Sequence, residues 1–247
     1  NVLNDGVWSE KANSDYLLPK QDLGRIVAEP ALDFLHKHGA KIHLEIRITH
    51  LNHHIDGRIE INGEVFDAVI LAVAPYHMDT LLPEDTPDYI QTAYQSLHYH
   101  AITTVYLRYA QAVKLPAPLT GFADGTAQWV LHRGALGLPD NEVAVVISVS
   151  DHTEAWKDKD LAKKIHADIR RISPDLDKPE AVRIITEKRA TTAATVDFVQ
   201  PDFSWLHHRR IYPAGDYLHP RYPATLEAAV QSGFAAAEKL MLDLRFE

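Results

Sequence analysis

The chain has 247 residues, 46% hydrophobic and 24% charged, the balance of a soluble globular protein long enough to bury a sizeable core in one or two domains. A net charge of −9 with no block of like charges argues against a nucleic-acid surface. The absence of cysteine excludes disulfides, thiolate metal sites, iron–sulfur clusters and cysteine nucleophiles within these residues, and it fits a cytoplasmic setting.

In chain order, Leu23 to His38 repeats its apolar residues at helical spacing, with Pro30 placed to kink or split the helix and Gly39 where a left-handed C-terminal residue belongs. Ile42, Leu44, Ile46 and Ile48 then alternate with polar residues, the period of a half-buried strand. Asp56-Gly57 and Asn62-Gly63 are turn signals around a strand at 58–61. Phe66 to Val73 predicts a strand buried on both faces and ended by Pro75. Tyr89 to Leu97 reads as a helix, and 98–109, 128–133 and 142–150 as strands. Leu115 to Leu119 is a stiff connector, and a lysine-rich helix covers about 153–172, stopped by Ser173-Pro174. A long strand with many β-branched residues is expected at 181–194. The last helix, 224 to about Leu244, carries Gly233 on its apolar side, where it would let the helix pack close to a sheet. The longest apolar runs, 69–73 and 143–147, are strand-sized, far below the roughly 20 residues that span a bilayer.

The most informative stretch is 211–233. An apolar run ends in Ala214-Gly215-Asp216, a loop follows, and Pro223 stands where a helix would open. Gly215 lets a backbone approach something closely, Asp216 offers a carboxylate to a polyol, and the amides at Ala224, Thr225 and Leu226 would face an anion or an electron-rich ring. An ordinary strand, loop and helix with a chance Gly-Asp is the plain alternative.

This stretch resembles the C-terminal flavin signature of the amine oxidase and phytoene desaturase superfamily. The resemblance implies that Gly215 and Asp216 contact the FAD ribityl chain and that the helix start at Ala224, Thr225 and Leu226 points at the pyrimidine side of the flavin. The unit Gly39-Ala40-Lys41-Ile42, leading to Ile48, and the later Asp67-Ala68-Val69-Ile70-Leu71-Ala72-Val73-Ala74-Pro75 match two further segments of that superfamily. There, a residue at the position of Ile48 meets the adenine through its backbone. Ser14-Asp15-Tyr16-Leu17-Leu18-Pro19-Lys20, Glu29-Pro30-Ala31 and Arg189-Ala190-Thr191 narrow the likeness to the squalene-associated FAD-dependent desaturases, also described as hydroxysqualene dehydroxylases. Val27-Ala28 departs from the commoner apolar-Pro pair of that group.

The resemblance implies an FAD-dependent oxidoreductase acting on a long-chain isoprenoid, with removal of the hydroxyl of hydroxysqualene to give squalene for hopanoid-type lipids. A phytoene-type desaturase, a flavin amine oxidase and a non-catalytic binding protein on the same scaffold are the alternatives. The expected fold is α/β, an incomplete FAD-binding module (1–75 and 206–247) with an inserted mixed-sheet substrate domain (76–205). None of the 11 glycines falls in the Gly-x-Gly-x-x-Gly spacing that holds a pyrophosphate, and the chain starts at Asn1. The expectation is therefore a later piece of a longer protein that holds no FAD alone. A hydrocarbon substrate further implies peripheral contact with the inner face of a membrane.

Other constellations carry less. The paired histidines 36/38, 53/54, 98/100 and 207/208 lack a third ligand at metal spacing, so no metal site is expected. Ser148, Ser150, Asp151 and His152 lie too close in sequence to face one another as a triad, and no Gly-x-Ser-x-Gly elbow exists. The catalytic residues stay unassigned.

Overall fold

The computed structural model describes residues 2–153, 156–195 and 202–245. Its helices are α1 (Val2–Gly6), α2 (Glu29–Lys37), α3 (Asp88–Gln95), α4 (Asp158–Arg170), α5 (Ser204–His207) and α6 (Leu226–Arg245). Its strands are β1 (Asn52–His53), β2 (Ile59–Ile61), β3 (Glu64–Phe66), β4 (Val69–Leu71) and β5 (Tyr99–Arg108). They continue with β6 (Leu119–Gly121), β7 (Trp129–His132), β8 (Glu142–Ser148), β9 (Ala181–Thr192) and β10 (Ile211–Pro213). The chain divides into two compact units: Asn1–Ser14 with His43–His98 and Thr192–Glu247, and Asp15–Ile42 with Tyr99–Thr191.

The second unit is built on a five-stranded sheet of order β6-β7-β8-β5-β9. The alternation in β5 buries Ala101, Thr103, Val105 and Leu107 on one face. Its antiparallel partner β8 sets Val145 opposite Val105. Helix α4 closes that face with Leu161, Ile165 and Ile169, a one-stripe arrangement at i, i+4 and i+8. Each such side chain contributes about 1.5–3 kcal/mol when fully buried. Asp158 and Asp160 in its first turn suit the positive end of the helix dipole. The expected start of this helix includes residues 154–155, which lie outside the described residues. Asp168 turns inward to accept the Thr126 and Ala127 N–H groups at 2.6 and 2.9 Å. Gly125 is held at φ +100° against that carboxylate, so close that a Cβ would meet it at 2.6 Å.

The predicted first helix forms over Leu23–Lys37 without a break at Pro30: its first part is π-helical at Gly24–Ala28 and passes directly into α2 through helical backbone at Ala28 and Glu29, with Gly39 at φ 80° after its end. The apolar stripe is exposed rather than packed: Leu32, Phe34 and Leu35 all face outward.

In the first unit, β1, β2 and β3 form an antiparallel meander. Asn62 and Gly63, at φ 51° and 85°, make the turn in which both central residues must be left-handed. The predicted strand over 42–48 does not form: the segment has no ladder partner among the described residues, and Leu44, Ile46 and Ile48 stay exposed. Alternation supplies a face, whereas a strand also needs a neighbour for its backbone groups. The predicted long strand 66–73 is two short ones, β3 and β4, and Ile70 is 37% exposed, so it is not buried on both faces. Pro75 ends this region by opening a 3₁₀ turn at Pro75–Thr80.

Strand β10, far away in sequence, pairs in parallel with β4 through Ile211–Val69, Tyr212–Ile70 and Pro213–Leu71. Around this ladder gather Ile59, Leu71, Met78, Ile90, Leu206 and Ile211. Helix α6 turns Ala228, Ser232 and Ala236 inward, and Ala236 packs with the buried Tyr212 and Ala214. The Tyr212 hydroxyl donates to Asp243 at 2.9 Å. Gly233 is not the close contact expected of it: a Cβ there would meet nothing within 4 Å, and the inward position belongs to Ser232.

Candidate cofactor-binding site

The end of β10 leads through Ala214 and Gly215 into a short 3₁₀ turn, Asp216–Leu218. The carboxyl ends of parallel strands are where open α/β sheets bind ligands, and here that end opens on a cavity of about 650 Å³. Leu3, Trp8, Leu97, Tyr217 and Tyr222 give it apolar and aromatic walls, and Asp216 and Ala224 line it with them.

Each residue singled out in the sequence has a definite place. The group that closes on Gly215 is the ring of Tyr217: a Cβ on Gly215 would sit 2.3 Å from Tyr217 Cε1. The Gly215 N–H donates to Ser232 Oγ at 3.0 Å, which ties the strand end to α6. Half-buried Asp216 accepts the N–H of Tyr217 at 2.9 Å. Pro223 is not the first helical residue, since α6 begins at Leu226. Thr225 takes the capping position instead, and its hydroxyl oxygen accepts the Ala228 N–H at 3.1 Å, the usual task of a threonine there. Leu226, at the first turn, is 71% exposed. Asp216 and Ala224 thus share one cavity, and Gly215, Thr225 and Leu226 adjoin it in sequence. Ile48 lies in the segment after Gly39 that forms no regular element, outside the cavity lining.

The loop between Asp216 and α6 is organised by residues that the sequence reading passed over. His219 Nδ1 accepts the backbone N–H of Tyr222 at 3.0 Å and that of Arg221 at 3.3 Å. With one ring nitrogen accepting, the other carries the proton, and Nε2–H donates to Gln231 Oε1 at 2.7 Å. The Tyr222 ring stacks on His219 with centroids 5.2 Å apart. From the opposite end of the chain, Asp5 accepts hydrogen bonds from Arg221 at 2.7 and 2.8 Å and from the Tyr222 hydroxyl at 3.0 Å. Hydrogen bonds from Asn4, Arg221 and Tyr222 hold the Asp5 carboxyl below the usual aspartate range. The spacing of His219 before Arg221 and Tyr222 was a local signal. Nothing local pointed to Asp5.

Beneath the loop, Tyr217 meets Tyr94 edge-on at 6.1 Å. Burial, and then the neighbouring Tyr217, push the Tyr94 hydroxyl far above the ordinary phenol range, so it stays neutral. Among the described residues no three metal-ligating side chains gather. In the other unit, His100 faces Asp151 at 3.4 Å and His152 Nδ1 lies 3.1 Å from the Val149 carbonyl.

A carboxylate acceptor beside a helix start, with aromatic walls, suits a ligand that joins hydroxyl groups to a flat electron-rich ring. The family described as flavin containing amine oxidoreductase matches residues 8–241. Hydroxysqualene dehydroxylases of Zymomonas mobilis and Rhodopseudomonas palustris are 28% and 30% identical over 85% and 91% of this chain. A third, from Sinorhizobium fredii, is 26% identical over 90% of it. The chain spans about half the length of these relatives, 49% to 52%. Among solved structures, a protein assigned as a protoporphyrinogen oxidase from Exiguobacterium superposes with a TM-score of 0.63 at 19% identity, over 87% of this chain and 51% of that one. A putrescine oxidase redesigned in its cofactor binding gives 0.60 at 13% identity, over 87% and 53%. These two share the α/β fold. By its match along nearly its whole length, the chain belongs to the flavin containing amine oxidoreductase family.

Proposed function

We propose that this chain is part of an FAD-dependent oxidoreductase that removes the hydroxyl of hydroxysqualene reductively to give squalene. The observation that carries the reading is the extent of the likeness: three hydroxysqualene dehydroxylases resemble this chain over 85% to 91% of it, well beyond the flavin signature. In this reading residues 1–75 and 206–247 belong to the cofactor module and 76–205 to the substrate domain, bounds that differ from those of the compact units over 15–42, 76–98 and 192–205.

The chain's own residues then have these tasks. Asp216 accepts hydrogen bonds from the ribityl hydroxyls, with Gly215 bringing the backbone alongside. The start of α6, at Ala224, Thr225 and Leu226, presents its positive end to the pyrimidine edge, and the backbone of Ile48 meets the adenine. Apolar walls at Leu97, Tyr217 and Tyr222 keep water from the reacting centre. The flavin, when bound, supplies the hydride chemistry, and the protein orients it and keeps the site dry.

No helix among the described residues is long and apolar enough to cross a membrane. A hydrocarbon of this size barely dissolves in water, so the proposal includes peripheral docking at a membrane. The test uses the full-length protein. It should be yellow from bound flavin, and under reducing conditions it should convert hydroxysqualene to squalene while leaving phytoene and simple amines unchanged. Conversion of phytoene or an amine instead would replace the proposed reaction. A colourless protein that FAD cannot reconstitute would overturn the enzyme reading.

A further inference from the structure

We infer that Asp5 is a positioning residue for the cofactor site: its carboxylate gathers Arg221 and Tyr222, and so fixes the loop that sets Asp216 and Ala224 around one cavity. This rests on the flavin reading above.

The loop needs such a tie. Between the turn at Asp216–Leu218 and the first residue of α6, Leu226, the backbone joins no ladder and no helix. Its inner tie is His219, which gathers the amides of Arg221 and Tyr222. Its outer tie is Asp5. Arg221 reaches Asp5 Oδ2 through Nε at 3.2 Å and Nη2 at 2.7 Å, and Oδ1 through Nη2 at 2.8 Å. The Tyr222 hydroxyl donates to Oδ2 at 3.0 Å, and Asn4 Nδ2 donates to Oδ1 at 3.0 Å. One carboxylate therefore receives donors from three side chains, near its full acceptor capacity.

A lone exposed ion pair would contribute little. This one differs in two ways. The guanidinium meets both carboxylate oxygens, the geometry that adds direction to charge. The same carboxylate also holds a second loop residue through a neutral hydroxyl, so it fixes the loop's path and not merely one side chain. Arg221 and Tyr222 themselves line the cavity, together with Leu3, Asn4 and Trp8 from the segment that carries Asp5. Asp5 thereby shapes a wall on which it does not itself appear.

The test uses the full-length protein with Asp5→Asn, Arg221→Met and the double variant. FAD affinity is read in every variant, by titrating apoprotein and following flavin fluorescence, and the rate at which trypsin cuts after Arg221 is read in the apoprotein of those that keep Arg221. Asp5→Asn should weaken FAD by about ten-fold and speed cleavage at Arg221 several-fold. Arg221→Met should weaken FAD similarly, and the double variant should be no worse than either single one, because both remove one tie. Wild-type affinity and cleavage in Asp5→Asn, or losses that multiply in the double variant, would overturn the inference. If Asp5→Asn does not fold, Tyr222→Phe removes one bond without changing charge. It should weaken FAD about two- to three-fold and loosen the loop to trypsin, and no change in either overturns the inference. A wild-type protein that binds no FAD defeats the flavin reading itself. The cleavage rates then still decide whether Asp5 orders the loop.

Discussion

The five-stranded sheet and the two-stranded β4–β10 ladder are held by different means. In the sheet, β5 and β8 pair over seven register positions, from Ile102–Ser148 to Arg108–Glu142, and the buried stripe of α4 covers the result. The β4–β10 ladder has three pairs, and beyond its end the chain is held by side chains: Ser232 on Gly215, Thr225 on α6, His219 and Asp5 on the loop. Repetition makes the sheet robust, since each pair repeats its neighbour's logic. The loop depends on single groups, each doing a different thing. That is the usual division between a scaffold and a site placed on it.

The comparison yields graded tests. The sheet unit should respond most strongly in stability. Ile165→Ala, at a fully buried position of α4, should cost about 2–5 kcal/mol in denaturant unfolding. A loss below about 1 kcal/mol would mean that α4 does not seal that core.

Next comes a change in binding at the ladder's end. Asp216→Ala should lower FAD affinity of the full-length protein about ten- to hundred-fold, for a charge-assisted bond of roughly 1.5–3 kcal/mol, with the fold kept. The competing outcome is specific, because Asp216 also accepts the Tyr217 N–H. Lowered melting temperature with unchanged FAD affinity would make it a turn-stabilising residue and remove it from the cofactor site.

Smaller still, Thr225→Ala should cost about 1 kcal/mol through the lost cap, and Thr225→Ser should restore it. Failure of serine to rescue would show that the hydroxyl bond to Ala228 is not what matters.

The smallest effect is a pH dependence. The Asp5 carboxyl is held below its ordinary value of 3.8 by its hydrogen-bond donors. Its stabilising contribution is therefore complete above that value and lost as pH falls below it. Acid unfolding curves of the wild type and Asp5→Asn should converge toward low pH, and a constant gap would contradict the ionised clamp.

Much of the scaffold was legible because its signals are local. The helical spacing after Leu23 gave a helix that Gly39 closes, Asn62-Gly63 made a turn, and the apolar run 143–147 lies in β8 as the strand read at 98–109 does in β5. Where the signal was local but the partner was not, the reading failed. Ile42 to Ile48 has the side-chain period of a strand with no ladder partner among the described residues. Pro223 suits a helix start, yet Thr225 offers a side-chain acceptor that proline lacks, and α6 starts there. Gly233 is small, but the inward register of α6 falls on Ala228, Ser232 and Ala236. The signature around Gly215 and Asp216 could be read from its own residues. Asp5, 216 positions from Arg221, could not, since chain folding alone brings them together.

His219 has one further consequence. Its Nδ1 takes two successive amide protons of an irregular loop, the job that a neighbouring strand's carbonyls do in a sheet. The imidazole is a movable substitute for a strand edge. It lets the backbone wander between a ladder and a helix without leaving those two amides unsatisfied, so this wall of the cavity can be shaped by side chains that no regular element dictates.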